Sequence, residues 1–267
     1  MVYNFIQFEK LRFKMIKIRH LKKVFGNKVV LRDVNLDIYD GKITYILGMS
    51  GQGKSTIIKL IVGLLKPTAG EIWVDGVNVA QADIETLYKI RKKIGFTFQE
   101  GALFDSMTIY DNVAFPLREH TNLSEEEIKK RVFQTLEMVG LDPERVAYLY
   151  PHQLSGGMRK RAATARAIIL KPKYVLYDEP TSGLDPIISD KITRMIVNLN
   201  RNHNMTSVVI SHDLKETFKS ADYIAFLHNG VIIEFGTVEE FKNSKNPIVR
   251  AFIEGNSELY EKIAEAV

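Results

Sequence analysis

The sequence predicts an α/β fold, a mainly parallel sheet with helices packed on it, and three observations carry that expectation. A glycine-rich loop, Gly48-Met-Ser-Gly-Gln-Gly53-Lys54-Ser55, lies between the apolar run Tyr45-Ile-Leu47 and the helical run Thr56 to Leu65. Downstream, Tyr174 to Tyr177 and Ser207 to Ile210 read as buried strands that alternate with the helix following Pro186. Between these regions, from about Ile84 to Ile169, the pattern turns helical.

Taken in order, residues 16 to 82 hold short apolar runs separated by Gly, Asp and Asn, such as Ile43-Thr-Tyr-Ile-Leu47 and Glu71-Ile-Trp-Val74, and these read as strands. A helical insert follows at about 100–170. There Ser124-Glu-Glu-Glu127 supplies an acidic first turn that leads into Ile128, Val132, Leu136 and Val139 at helical spacing. Met158 to Ile169 forms a second helical run. The main domain is expected over 16–245, and the tail over 246–267 reads as one or two helices without a strand partner. Met15-Ile-Lys-Ile resembles a natural start, so residues 1–15 are either a flexible N-terminal arm or a start-site extension.

Composition bounds the function. With 267 residues, 45% of them hydrophobic, the chain has room for one large domain with a subdomain. No apolar run reaches the roughly 18 residues a membrane-spanning helix needs. The longest, Thr56 to Leu65, is broken by Lys59. The opening stretch carries Glu9, Lys10, Arg12 and Lys14 and lacks a small-residue cleavage site, so it does not read as a secretory signal, and a cytoplasmic location is expected. Cysteine is absent, which excludes disulfides and thiolate chemistry. The net charge of +5 comes without a long basic run, so no dedicated nucleic-acid binding is expected.

The loop at 48–55 fits the phosphate-loop pattern G-x-x-x-x-G-K-[ST] in its required strand-loop-helix setting. Glycines let backbone N–H groups approach phosphate closely, and the helix N-terminus favours negative charge. Lys54 then reaches the terminal phosphates of ATP and Ser55 can hold Mg²⁺. The spacing differs from the dinucleotide pattern G-x-G-x-x-G. Tyr174-Val-Leu-Tyr177-Asp178-Glu179 is an apolar strand ending in two carboxylates. Alone, such an end is more often a solvated terminus or a helix cap. Behind a phosphate loop, Asp178 is the expected Mg²⁺ partner and Glu179 the group that takes a proton from the attacking water. Gln99 and His212 end two further strand-like runs.

In this order the motifs resemble the ATP-binding-cassette (ABC) ATPases from about Ile16 to about Phe241. The resemblance implies a P-loop ABC nucleotide-binding domain with a RecA-like core, an antiparallel β subdomain and a helical signature subdomain. It implies that Phe25 stacks on adenine, although Val24-Phe25 could equally be core. Gly48, Met49, Ser50, Gly51, Gln52, Gly53, Lys54, Ser55 and Thr56 match the Walker A segment, and Gln99 matches the Q-loop residue near Mg²⁺. Leu154-Ser155-Gly156-Gly157-Met158 matches the signature, with Met158 where many relatives have Gln. Asp178 matches the Walker B aspartate, Glu179 the catalytic glutamate, Ser182-Gly-Leu-Asp185 the D-loop and His212 the switch histidine. The signature implies an ATP-dependent head-to-tail dimer with a second copy, in which Ser155 and the N–H groups of Gly156 and Gly157 meet the partner's γ-phosphate.

The segment from Gln99 to His120, the signature Leu-Ser-Gly-Gly-Met-Arg and Tyr177-Asp-Glu-Pro-Thr-Ser-Gly-Leu-Asp-Pro-Ile187 are similar to the ATPases of bacterial Mla-type (MlaF-like) phospholipid transporters. That resemblance implies a peripheral place on the cytoplasmic face of the inner membrane. It implies an MlaE-like permease, an MCE-domain (MlaD-like) lipid-binding protein and a small STAS-domain (MlaB-like) subunit as partners. Leu103, Phe104, Met107 and Tyr110 beside Gln99 offer apolar groups for a permease helix, or they pack inside the insert. A transporter for another cargo, or a soluble cassette such as an iron-sulfur-assembly ATPase, would share every ATP motif.

Overall fold

The computed structural model describes residues 15–265. In chain order the first elements are β1 (Ile16–Phe25), β2 (Lys28–Ile38), β3 (Ile43–Leu47), α1 (Lys54–Ile61), β4 (Ala69–Val74), β5 (Val77–Asn78), α2 (Ile84–Arg91) and β6 (Ile94–Thr97). The helical stretch follows: α3 (Ile109–His120), α4 (Glu125–Met138), α5 (Pro143–Val146), a 3₁₀ turn over Pro151–Gln153 and α6 (Gly156–Ile168). After it come β7 (Tyr174–Asp178), α7 (Pro186–His203), β8 (Thr206–Ile210), α8 (Leu214–Ser220), β9 (Tyr223–His228) and β10 (Val231–Thr237). The chain closes with α9 (Val238–Lys242), α10 (Pro247–Glu254) and α11 (Ser257–Glu265).

These elements fall into two compact units, one built from the chain up to Ala82 and from Ser211 onward, the other from Asp83 to Ile210. In the first unit the strand order is β5-β4-β1-β2-β10-β9-β3. The pairs β1–β2, β1–β4, β4–β5 and β9–β10 are antiparallel, whereas β10–β2 and β3–β9 are parallel. Every residue of β3 is buried, as the continuous apolar run Ile43 to Leu47 predicts for a strand covered on both faces. The closing helices rest on β9: the Phe252 ring meets Phe226 edge-on at 4.8 Å, and Nδ1 of the buried His228 lies 2.8 Å from the Tyr260 hydroxyl. The tail thus finds its partner in a strand's side chains.

The second unit contains three parallel strands in the order β8-β7-β6, with β7 central and entirely buried. The parallel expectation holds here, where helices connect the strands. In α4 the acidic turn read from the sequence is a full capping box: Ser124 Oγ accepts from the Glu127 N–H, and the Glu127 carboxylate accepts from the Ser124 N–H at 2.9 Å. Ile128, Val132 and Leu136 face the core, and Val139 closes the helix buried.

One boundary differs from the sequence reading: the helical run expected to Leu65 stops at Ile61, because the left-handed Gly63 (φ 69°) turns the chain. Within the largely helical stretch from Ile84 to Ile169, the strand-like run read before Gln99 forms β6.

Candidate functional site

The phosphate loop occupies residues 48–53 between the buried β3 and α1. Gly48 has φ 148°, and a Cβ there would sit 2.4 Å from the Leu227 carbonyl oxygen, so only glycine fits. Gly53 has φ 100°, and its Cβ would lie 2.7 Å from Val30. The intervening Met49, Ser50 and Gly51 are exposed, while Gln52 is tied down by the Asn229 N–H, which donates to its Oε1 at 2.8 Å. Helix α1 starts at Lys54 with no side-chain cap and no acidic residue in its first turn, an N-terminus whose dipole suits an anion. Lys54 is buried, its Nζ donating to the carbonyl oxygens of Gly48 at 2.8 Å and Met49 at 3.1 Å. Ser55 and Thr56 follow half-buried on the first turn. A glycine cradle, an uncapped helix start and a held ammonium suit this loop to a nucleoside triphosphate.

Two further predicted residues lie in the same unit. Phe25 ends β1 before the left-handed Gly26, with its ring 43% exposed and Lys23 Nζ 4.7 Å from its centroid. It is therefore a presented ring and not a core one. His212 is exposed just before α8, flanked by Ser211, whose N–H donates to Ile46 of β3 at 3.4 Å, and by the helix cap Asp213.

In the second unit β7 delivers Asp178 to its carboxyl end, 4% exposed. Glu179 follows, half-buried, in the left-handed region at φ 48°, its N–H donating to Ile210 of β8 at 3.1 Å. The Glu179 carbonyl accepts from Lys160 Nζ at 3.1 Å, and the same ammonium donates to the Ser182 carbonyl at 2.8 Å. Burial pushes the Lys160 ammonium below its usual range, while Glu100 and Glu179 act in the opposite direction.

The turn Ser155-Gly156-Gly157 opens α6. Ser155 caps the helix, accepting from the Met158 N–H at 3.3 Å. Gly157 packs so tightly that a Cβ would meet Ile188 Cγ2 at 2.3 Å, which joins the signature turn to the start of α7. The Met158 thioether side chain carries no donor, and the capping contact is made by its backbone N–H alone. Asp185, closing the segment 182–185, caps α7 by accepting from Ile187 and Ile188.

Gln99 is exposed in the turn after β6. The loop behind it is fixed by the fully buried Asn112, which accepts from the Phe104 N–H and donates to the carbonyls of Phe104, Met107 and Thr108. Arg166 of α6 donates to the Gly101 carbonyl at 3.1 Å and lies 5.5 Å from the Phe104 ring. Phe104 is 44% exposed and Leu103, Met107 and Tyr110 are half-buried, so Phe104 is the ring this segment presents.

A family profile described as ABC transporter matches residues 31–182, which hold the phosphate loop, Gln99, the signature turn, Asp178 and Glu179. The chain belongs to the ABC transporter family. Over 244 residues this ABC cassette is 43% identical to "Intermembrane phospholipid transport system ATP-binding protein MlaF" of Haemophilus influenzae, covering 91% of the chain and 92% of that protein. It is 40% identical to "Probable ribonucleotide transport ATP-binding protein mkl" of Mycobacterium leprae, covering 90% of the chain and 69% of that protein. Among solved structures, the dimeric post-hydrolysis state of the ATP-binding cassette MJ0796 bound to ADP and Pi is 36% identical with a TM-score of 0.78, over 84% of this chain and 99% of that one. The cassette is an ATP-binding ATPase with the α/β cassette fold. Sequence reasoning missed Lys160, Arg166 and Asn229; the basic run Arg159-Lys160-Arg161 after the signature was the one available signal for the first of these.

Proposed function

We propose that this cassette is the ATP-hydrolysing subunit of a bacterial transporter that moves phospholipid between the inner and outer membranes. The observation that carries the reading is the 43% identity to the Haemophilus influenzae MlaF over nine-tenths of both chains. In this role the cassette sits peripherally on the cytoplasmic face of the inner membrane. Among the described residues no helix is long and apolar enough to cross a membrane, so a separate MlaE-like permease provides the span. The presented Phe104 and its half-buried neighbours Leu103, Met107 and Tyr110 are the surface proposed to meet that permease. An MCE-domain (MlaD-like) lipid-binding protein and a small STAS-domain (MlaB-like) subunit complete the proposed complex.

The reaction assigned to the residues follows from their chemistry. Phe25 stacks on adenine, and the backbone from Gly48 to Gly53 with the first turn through Thr56 cradles the phosphates. Lys54 turns from the loop carbonyls to the terminal phosphates. Mg²⁺, when bound, offsets phosphate charge and orients the γ-phosphoryl group. Ser55, Gln99 and Asp178 offer the hard oxygen donors that suit it. Water adds to the γ-phosphorus as the bond to the bridging oxygen breaks, with Glu179 taking the water's proton and His212 contacting the γ-phosphate. Ser155, Gly156 and Gly157 meet the γ-phosphate held by a second copy, so ATP joins two copies head to tail and hydrolysis removes the bridge.

The test is purification of the tagged chain from its own membranes in gentle detergent, with mass spectrometry of the proteins and lipids retained. A multispanning permease, an MCE-domain protein and bound phospholipid are expected. A permease complex that retains and is stimulated by ribonucleotides, or recovery of the chain only from the soluble fraction, would overturn the cargo assignment and leave the ATPase untouched.

A further inference from the structure

We infer that Lys160 is a positioning residue for hydrolysis, holding the backbone of Glu179 and of the segment after it in register with the signature helix. The inference rests on the proposed role of Glu179 as the group that takes the water's proton. Glu179 is a side-chain-bearing residue in the left-handed region, φ 48°, a conformation that relaxes unless its surroundings fix it. Its peptide is fixed from two directions. The N–H donates to Ile210 on β8, and the carbonyl accepts both from Lys160 Nζ at 3.1 Å and from the Ser182 N–H at 3.2 Å. The same ammonium reaches the Ser182 carbonyl at 2.8 Å, so one cation spans both ends of the turn that carries Glu179 into the segment 182–185.

The position of this cation in the chain gives the contact its meaning. Lys160 lies in the second turn of α6, whose first turn is the Ser155-capped pair Gly156 and Gly157. A helix transmits displacement along its axis because its backbone bonds are internal. Any shift of the signature turn therefore moves the ammonium, and with it the Glu179 carbonyl. Gly157 reinforces the linkage by its close approach to Ile188, on the far side of the same segment. A half-buried ammonium bonded to two neutral carbonyls is a demanding arrangement, for the charge loses water and the carboxylates of Glu100 and Glu179 offset only part of that loss. A merely structural contact between a helix and a turn would be served as well by apolar packing.

The experiment uses the purified full chain and four variants, Lys160→Met, Lys160→Gln, Lys160→Arg and Glu179→Gln, with turnover, KM for ATP, nucleotide binding and thermal melting measured on each. Lys160→Met is expected to lower kcat about tenfold or more with KM and nucleotide affinity within about twofold, the pattern of an interaction used after substrate binds. Lys160→Arg keeps a cationic donor and restores turnover to within about threefold, and Lys160→Gln, a neutral donor, falls between. Should Lys160→Met fail to fold, the same kcat-only loss in Lys160→Gln, relieved in Lys160→Arg, carries the test. Wild-type turnover in Lys160→Met or Lys160→Gln, an equal loss in Lys160→Arg, or a loss expressed in KM would overturn the positioning role. Glu179→Gln separates the two levels: substantial hydrolysis by that variant rejects the role of Glu179 itself, whatever the Lys160 variants do.

Discussion

Gly48 and Gly26 show how differently two glycines with positive φ constrain this chain. At Gly26 nothing lies within 4 Å of an added Cβ, so Gly26→Ala meets only the left-handed backbone penalty, about 1–2 kcal/mol. At Gly48 the backbone is at φ 148° and the added carbon would press on the Leu227 carbonyl at 2.4 Å, an atom fixed in β9. Gly48→Ala is therefore expected to cost more stability than Gly26→Ala and also to weaken nucleotide binding, because the loop must move to relieve the clash. Urea unfolding and titration with a fluorescent ATP analogue check this, and equal effects of the two substitutions on binding would refute it. The need for glycine at 48 was legible as a motif, but its cause, a carbonyl nearly 180 residues downstream, was not, because nothing local in sequence marks that approach.

At the scale of elements, side-chain caps start most of the described helices, and the start at Ser124 was legible in the sequence. The capping box at Ser124 is an example, and α9 repeats it with Thr237 and Glu240. Ser124→Ala is expected to lower stability by about 1 kcal/mol, seen as a shift in the urea midpoint, with ATP turnover unchanged. The carboxyls of Glu127 and Glu240 are held below the usual glutamate range chiefly by the backbone N–H groups of Ser124 and Thr237. Because their folded pKa values are depressed, the stabilisation they give is present above the unfolded value of about 4.5 and is lost as the pH falls through the lower folded values. The acid limb of a melting-temperature profile should accordingly be shallower in Glu127→Gln, which has no carboxyl to protonate. Helix α6 was legible as a run behind the signature, yet its holding contacts were not. Lys160 and Arg166 bond backbone carbonyls, which carry no residue identity that a pattern could register.

At the scale of the molecule, the sequence order misleads about what belongs together: residues from Ser211 onward rejoin the unit that begins the chain, and only long-range strand pairing reveals it. The tail, read as one or two helices without a strand partner, is bonded to a side chain of β9 through Tyr260 and His228. Burial pushes the His228 imidazole below its ordinary value, so the fold favours the neutral ring. Stability from this site is present above the unfolded value of 6.5 and is lost as the pH falls from there through the lower folded value. Tyr260→Phe removes the partner and is expected to cost about 1–3 kcal/mol at neutral pH, measured by thermal melting. A wild-type melting curve for that variant would show the contact to be dispensable. Such costs are large against the total of roughly 5–15 kcal/mol that separates a folded domain from its unfolded ensemble. The left-handed backbone of Glu179 draws on that same margin, and in the role proposed for it the carboxylate takes the attacking water's proton. A population of variants selected only for heat resistance would be free to replace Glu179 with glycine or asparagine, which suit that backbone. Heat-hardened descendants of this cassette would then keep their shape and lose their motor, and only selection on turnover would hold the strained residue in place.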